Sequence, residues 1–192
     1  LFTLNAPALI RGETSRVKPL TLTDESVHPL IRAAAVLDDL EQWHLQTNRL
    51  ESALWARVAR TELLSTHFTS ETSRKAFIAQ LQIRVEAASK APFSAYGRAE
   101  MATQWQRLGD LAKARDVAAV GARAFPQSVG GQRCASLVAA LEAPEFDLNG
   151  NQFDGVGKRS LQVHAKNLPT LYFRARRLGF DEVRGVVGQE SV

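Results

Sequence analysis

Cysteine is nearly missing from this 192-residue chain: Cys134 stands alone, as does Met101. A single thiol excludes an intrachain disulfide framework and any zinc site built from several cysteines. Long apolar runs are missing as well, and no stretch approaches the roughly 20 residues needed to span a bilayer. The four histidines, His28, His44, His67 and His164, are scattered, with no pair at metal-ligand spacing and no His-Glu-x-x-His. They read as surface or internally satisfied side chains. Charge of one sign is never blocked. The 24 Lys and Arg stand against 20 acidic residues, a net charge of +4, and are spread along the chain. That spread points to a solvated basic surface and away from nucleic-acid binding.

With 45% hydrophobic and 23% charged residues, the chain is ordinary globular material, enough for one medium domain or a domain plus part of another. Its texture changes at Glu142-Ala143-Pro144. Residues 1–26 read as an extended or irregular arm punctuated by Pro7, Gly12 and Pro19, with Leu20-Thr21-Leu22 a short strand or packed segment. Residues 27–142 carry apolar side chains at helical spacing. The first helix starts near His28-Pro29, with Asp24 and Ser26 as candidate caps. From Leu30 to Phe68 the stripe Leu30, Ala33, Ala34, Leu37, Leu40, Trp43, Leu50, Leu54, Val58 and Leu63 predicts two antiparallel helices broken around Thr47-Asn48. Thr69 and Ser70 can cap a third, with Phe77, Leu81, Val85 and Ala88 on its inner face, ended by Lys90-Ala91-Pro92. Further helices are expected from Ser94 to Leu108, Leu111 to Phe125 and Val129 to Leu141, about six in all, as stacked antiparallel pairs.

After Pro144 the period changes to two. Phe146-Asp147-Leu148, Leu161-Gln162-Val163-His164-Ala165 and Leu171-Tyr172-Phe173-Arg174-Ala175-Arg176 alternate apolar and polar residues, as strands buried on one face do. Residues 143–192 therefore read as the start of a β-sandwich domain. The fold class is mainly α: antiparallel helical hairpins followed by a few strands.

Residues 95–128 carry punctuation more specific than periodicity. Ala102, Trp105, Gly109, Ala114 and Pro126 resemble the small, aromatic, turn, small and stop positions of a tetratricopeptide repeat. Small residues at 102 and 114 let two helices approach, Gly109 permits the turn and Pro126 stops the second helix. Ala118 stands where a large aromatic is usual and Gly121 where an Ala is usual. One period earlier, Lys75 and Gln80 occupy the turn and small positions, so the repeat does not recur.

No constellation assigns catalysis, a cofactor or a metal. Cys134 shares helical spacing with Leu137, Val138 and Leu141, a core position. The segment Asp147 to Asp154 places oxygen side chains like a calcium loop, but Gln152 replaces the glycine and Lys158 the bidentate Glu, leaving a polar inter-strand loop. Gly155-Val156-Gly157-Lys158-Arg159-Ser160 lacks the spaced glycines and following helix of a phosphate loop. Tyr172, Arg174 and Arg176 form the polar face of a half-buried strand, too thin a platform for RNA.

The stretch from Gly109 to Arg177 resembles the N-terminal region of bacterial alpha-2-macroglobulin-like proteins. The residues that carry it are Phe125-Pro126-Gln127-Ser128-Val129-Gly130-Gly131-Gln132-Arg133-Cys134, the helix closing on Glu142-Ala143-Pro144, and Asn167-Leu168-Pro169-Thr170-Leu171-Tyr172-Phe173-Arg174. The resemblance implies a large extracytoplasmic, periplasmic or secreted, protease-trapping protein with a signal or lipid-attachment segment ahead of Leu1. In it this region would be non-catalytic and would lead from a tetratricopeptide-like domain into the first immunoglobulin-like macroglobulin domain. Its partners would be protein, namely other domains of the same chain and a protease or envelope component, with no nucleic acid and no membrane insertion. Cys134 is followed by Ala135-Ser136-Leu137, so it is not the cysteine of a Cys-x-Glu-Gln thioester. Two other readings remain open: a helical-repeat adaptor holding a peptide or protein in a concave groove, and an enzyme in which His44, His67 or His164 meets carboxylates in a pocket.

Overall fold

A computed structural model describes residues 4–13, 24–150 and 160–174. Among them the chain is mainly helical with a small two-stranded antiparallel sheet, which is the coarse class that the patterning predicts. It divides into two compact units, residues 1–142 and 143–192.

The first unit holds α1 (Ala6–Arg11), α2 (Pro29–Gln46), α3 (Leu50–Ser65), α4 (Glu71–Ala87), α5 (Ser94–Arg107), α6 (Leu111–Ala124) and α7 (Val129–Glu142). From α2 onward each helix packs on the next, and α3 also touches α5 while α5 touches α7. The starts are set by side chains. Ser70 Oγ accepts from Ser73 N, Asp110 Oδ1 from Lys113 N and Ser128 Oγ from Gly131 N, each satisfying one of the orphan amides of a first turn. The stops use backbone that few residues tolerate. Asn48 at φ 54° closes α2, and Gly109 at φ 81° turns the chain between α5 and α6.

Three apolar clusters run through the stack. Leu9, Ile10, Leu30, Leu64 and Phe77 close one end. Leu54, Val58, Ile78, Leu81, Val85 and Met101 fill the middle. Ala99, Ala102, Ala118 and Cys134 form a seam of small residues between α5, α6 and α7. Burying one Leu of this kind contributes about 2 kcal/mol from removed apolar surface. Glycines bring backbones together in that seam. A Cβ on Gly130 would overlap the backbone of Tyr96, and one on Gly131 the carbonyl of Phe125. A Cβ on Gly121 would lie 2.6 Å from Cys134 Sγ. That explains the departures from the repeat pattern: the thiol takes the space of an Ala at 121, and Ala118 is fully buried where a large ring would not fit.

The arm differs from expectation, because residues 6–11 are helical. Pro7 sits in the first turn, Asn5 Oδ1 accepts from Ala8 N, and Gly12 at φ 82° closes the helix. Residues that read as breakers are here the start and stop of a short helix. Leu20-Thr21-Leu22 lies outside the described residues. At α2 the cap is His28, whose Nδ1 accepts from Leu30 N, while Asp24 and Ser26 bond to each other in the preceding turn.

The second unit contains β1 (Glu145–Gly150) and β2 (Leu161–Lys166), paired antiparallel with Phe146 opposite Ala165, Leu148 opposite Val163 and Gly150 opposite Leu161. Directly opposed residues share a face. One face is thus Phe146, Leu148, Leu161, Val163 and Ala165, and the other is Glu145, Asp147, Asn149, Gln162, His164 and Lys166. The strand expected at Phe146-Asp147-Leu148 is formed and runs on through Asn149 and Gly150, where a polar loop was expected, and residues 151–159, with the rest of the calcium-like segment and most of the phosphate-like one, lie outside the described residues. The third expected strand is not formed over 171–174, where Tyr172 is 93% exposed. No ladder partner reaches it among the described residues, and unpaired backbone has nothing to hold it extended. Ala175 and Arg176 lie outside the described residues.

Candidate functional site

The inner face of α2 is rotated from the apolar stripe. Ala33 and Trp43 point to solvent, and the buried positions are Leu30, Ala34, Ala35, Asp38 and Glu41. On α3 the buried set includes Arg57 and Arg60 beside Leu54, Val58 and Leu64. Four charged residues of α2 and α3 are therefore buried. Helical periodicity counted only apolar side chains and missed them. The signal was present as carboxylates at 38 and 41 in phase with Ala34, and cations at 57 and 60 in phase with Leu64.

Their geometry explains their burial. Glu41 Oε1 accepts from Arg57 Nε at 3.1 Å and Nη2 at 2.9 Å, and from Arg84 Nε at 2.6 Å. Arg60 Nη1 lies 3.2 Å from Asp38 Oδ1 and 3.6 Å from Glu41 Oε2. Among the described residues three cations face two anions. Backbone carbonyls at the end of α1 also accept from two of the cations. Arg60 Nε donates to Leu9 O at 3.1 Å, and Arg57 Nη1 to Ile10 O at 2.9 Å. Unsatisfied carbonyls of a helix C-terminus carry partial negative charge and suit a guanidinium. Burial, and then repulsion by Arg57, lower the pKa of Arg60 to about 10, which leaves it charged at neutral pH. This cluster is a clamp on α1.

A second polar constellation opens to solvent. The start of α4, the end of α5 and the start of α6 enclose a cleft of about 410 Å³ lined by Arg74, Lys75, Arg107 and Lys113, by Glu71 and Asp110, and by Trp105. Two of its cations are spent locally: Lys75 Nζ lies 2.6 Å from Glu71, and Lys113 Nζ 2.7 Å from Asp110. The two arginines are not. Arg74 Nη1 donates to Gln104 Oε1 at 3.2 Å and Arg107 Nη1 to Ser65 Oγ at 3.1 Å, both neutral acceptors. Burial and the charge of Arg107 lower the pKa of Arg74. Behind them, buried Gln104 donates to Glu100 Oε1 at 2.7 Å, which turns its carbonyl toward Arg74. Burial raises the pKa of Glu100. Arg133 stands 3.6 Å from Glu100 and 4.8 Å from the Tyr96 ring centroid.

The residues weighed from sequence are dispersed. Cys134 Sγ is buried against Ala95 O at 3.2 Å, and burial raises its pKa to about 11, so it is a poor nucleophile. His28 caps α2. His44 lines a separate cavity of about 330 Å³ with Glu51, Trp55 and Phe93, and Glu51 Oε1 there accepts from Phe93 N. His67 does not line that cavity, and His164 lies on β2. Among the described residues no group of three His, Cys, Asp or Glu can hold a metal ion, and no helix is long and apolar enough to cross a membrane. The arginine cleft was not visible in the sequence, because Arg74 and Arg107 come from different helices and only their lack of acidic partners singles them out. No family model, curated protein or solved structure matches the chain.

Proposed function

We propose that this chain is a non-catalytic structural and interaction region of a bacterial alpha-2-macroglobulin-like, protease-trapping protein. In this reading a tetratricopeptide-like helical unit precedes the opening strands of an immunoglobulin-like macroglobulin domain. The observation that carries the reading is the hairpin β1–β2. Its apolar face is exposed, with Phe146 at 57% and Leu161 at 54%, while its other face is polar throughout. A two-stranded hairpin is marginal by itself, and a one-sided apolar face of this kind is what a second sheet covers in a sandwich.

The helical side supports the same reading. The Phe-Pro-x-Ser-x-Gly-Gly-x-x-Cys segment is taken up by packing. Ser128 caps α7, Gly130 and Gly131 admit neighbouring backbone, and Cys134 fills the seam. Such a segment fixes architecture and asks for no substrate. The partners in this proposal are proteins: further domains of the same chain, and a protease or envelope component outside the cytoplasm.

The test is protease challenge of the whole protein to which this region belongs. A trap leaves the enclosed protease active on a small chromogenic peptide and inactive on casein, and that split is the expected result. Equal activity on both substrates, whether retained or lost, overturns the proposal. Replacing Phe146 and Leu161 by Ser is expected to destabilise the whole protein's β region while leaving the helical unit's unfolding unchanged.

A further inference from the structure

The cleft of about 410 Å³ at the start of α4, the end of α5 and the start of α6 is lined by four cations and two carboxylates. Both carboxylates are paired with lysines, Glu71 with Lys75 and Asp110 with Lys113. The remaining positive charge is carried by Arg74 and Arg107, which form no ion pair among the described residues. Each is held instead by a neutral side chain that is itself buried. Gln104, with no exposure, accepts from Arg74 Nη1 at 3.2 Å, and Ser65, 3% exposed, accepts from Arg107 Nη1 at 3.1 Å. Burying such groups costs free energy unless they are hydrogen-bonded. Here they hold two guanidiniums without neutralising them. A guanidinium has five donors in a planar fork, so most donors of both arginines are left for a ligand. The charge of Arg107 is felt at Arg74, where it adds to burial in lowering the pKa.

We propose that this cleft binds a small phosphate monoester whose organic part carries hydroxyl groups, of the sugar-phosphate class. Charge, shape and size select it together. The lining has two more cations than carboxylates, and a phosphate monoester carries about −1.5 to −2 near neutral pH. Its three free oxygens sit on one atom, so a single group can accept from both arginine forks and offset their mutual repulsion. The volume falls within the roughly 300–1,000 Å³ of small-molecule sites, which is more than an inorganic oxyanion fills. Beyond the arginines, Leu108 supplies apolar surface for C–H groups, and Glu71 and Asp110 supply carboxylates. A carboxylate paired with one lysine keeps further lone pairs, and these suit hydroxyl donors. A nucleotide fits less well, because the one ring in the lining, Trp105, already carries Lys113 Nζ 4.6 Å from its centroid. This inference rests on the helical unit alone and stands apart from the macroglobulin-like reading, whose test reads protease activity.

The experiment is a proton–nitrogen NMR titration of the 192-residue protein with glucose 6-phosphate at constant ionic strength. Saturable shifts are expected at the Trp105 indole N–H and at the side-chain Nε–H of Arg74 and Arg107, with half-saturation below about 1 mM ligand. The Trp105→Phe spectrum identifies the indole signal. Glucose should leave these signals unmoved. Inorganic phosphate, and succinate with its two charges apart, should each bind at least about threefold more weakly. Arg74→Gln and Arg107→Gln are each expected to weaken glucose 6-phosphate about tenfold, the low end of what a hydrogen bond to a charged group contributes. Circular dichroism melts check that both variants fold, and titration of the parent chain decides the proposal without them. The absence of a saturable shift overturns it, as do shifts that saturate elsewhere and spare the cleft. Folded variants that bind as the parent does also overturn it. So does inorganic phosphate or succinate binding as tightly as glucose 6-phosphate, because that describes a plain anion site. A Gly-phosphoserine-Gly peptide that binds more tightly than glucose 6-phosphate overturns the sugar-phosphate assignment.

Discussion

Glu41→Gln is the substitution that weighs the buried charge cluster most directly. It keeps the side chain's volume and one carbonyl oxygen, so it opens no cavity. It removes one of two anions from among three cations, and leaves Arg57, Arg60 and Arg84 facing Asp38 alone. Glu41 has no side-chain exposure and Arg57 only 2%, so water cannot screen what is left. Breaking a buried pair by removing one partner costs about 3–5 kcal/mol. The low end applies here, because Arg84 is partly exposed and can turn outward. At roughly 2–4 °C per kcal/mol for a chain of this size, the midpoint of thermal unfolding should fall by at least about 6 °C. Circular dichroism at 222 nm follows the helical unit and is the appropriate probe. Two controls sharpen the test. Glu71→Gln breaks a solvent-exposed pair with Lys75 and should leave the midpoint unchanged. The Glu41→Gln deficit should persist in 1 M NaCl, since salt does not reach a buried site. A fall of less than about 2 °C, the equivalent of a surface pair, would refute the reasoning. So would a deficit that salt erases.

Three further outcomes follow from the same structure. Gly130→Ala should destabilise by about 1–3 kcal/mol in urea unfolding, because the added methyl meets the Tyr96 backbone and α7 must move away from α5. Cys134, buried and with its pKa raised to about 11, should react with a disulfide reagent at pH 8 only as fast as the helical unit unfolds; rapid labelling of the native chain would contradict its placement. Glu100 has its folded pKa raised, so it binds its proton more tightly in the native state, and its contribution is lost as pH rises through that pKa. Glu100→Gln should therefore stabilise the chain relative to the parent at pH 8, with the difference closing toward pH 4, as read by paired melts.

Element identity was legible wherever one helix or strand carried its own signal. Phe77, Leu81 and Val85 form the inner face of α4, with Ala88 buried at its cap, as their spacing predicts; the two strands put their apolar residues on one face as read, but that face is exposed where burial was expected. Legibility failed where the deciding partner lies far along the chain. On α2 the buried face runs through Asp38 and Glu41, and carboxylates count against burial until Arg57 and Arg60, on the next helix, are placed beside them. The short helix α1 failed for the same reason. Pro7 and Gly12 are equally good as loop punctuation or as helix start and stop, and only contacts 47 and 51 residues away decide between them. The arginine cleft is a third case, since what marks it is which carboxylates do not reach Arg74 and Arg107.

These failures share a cause that says how the arm is held. Six residues are too few to make a helix stable in water, because nucleation costs more than so few hydrogen bonds return. α1 persists because Leu9 and Ile10 bury in the first apolar cluster and because its terminal carbonyls accept from Arg57 and Arg60. The dependence runs the other way as well. Without α1 the buried guanidinium groups of Arg57 and Arg60 lose the carbonyls of Ile10 and Leu9 as acceptors, a state costlier than a surface pair lost to water. Gly12 fits both requirements, since its φ of 82° ends the helix and a Cβ there would overlap the Arg60 guanidinium beside Asp38. Helix, glycine and arginines are therefore one cooperative unit. A purely apolar patch at 38, 41, 57 and 60 could stabilise α2 and α3 against each other as well, yet would give the arm no directional partner for its carbonyls. The charges are what set the position and polarity of α1 on the stack.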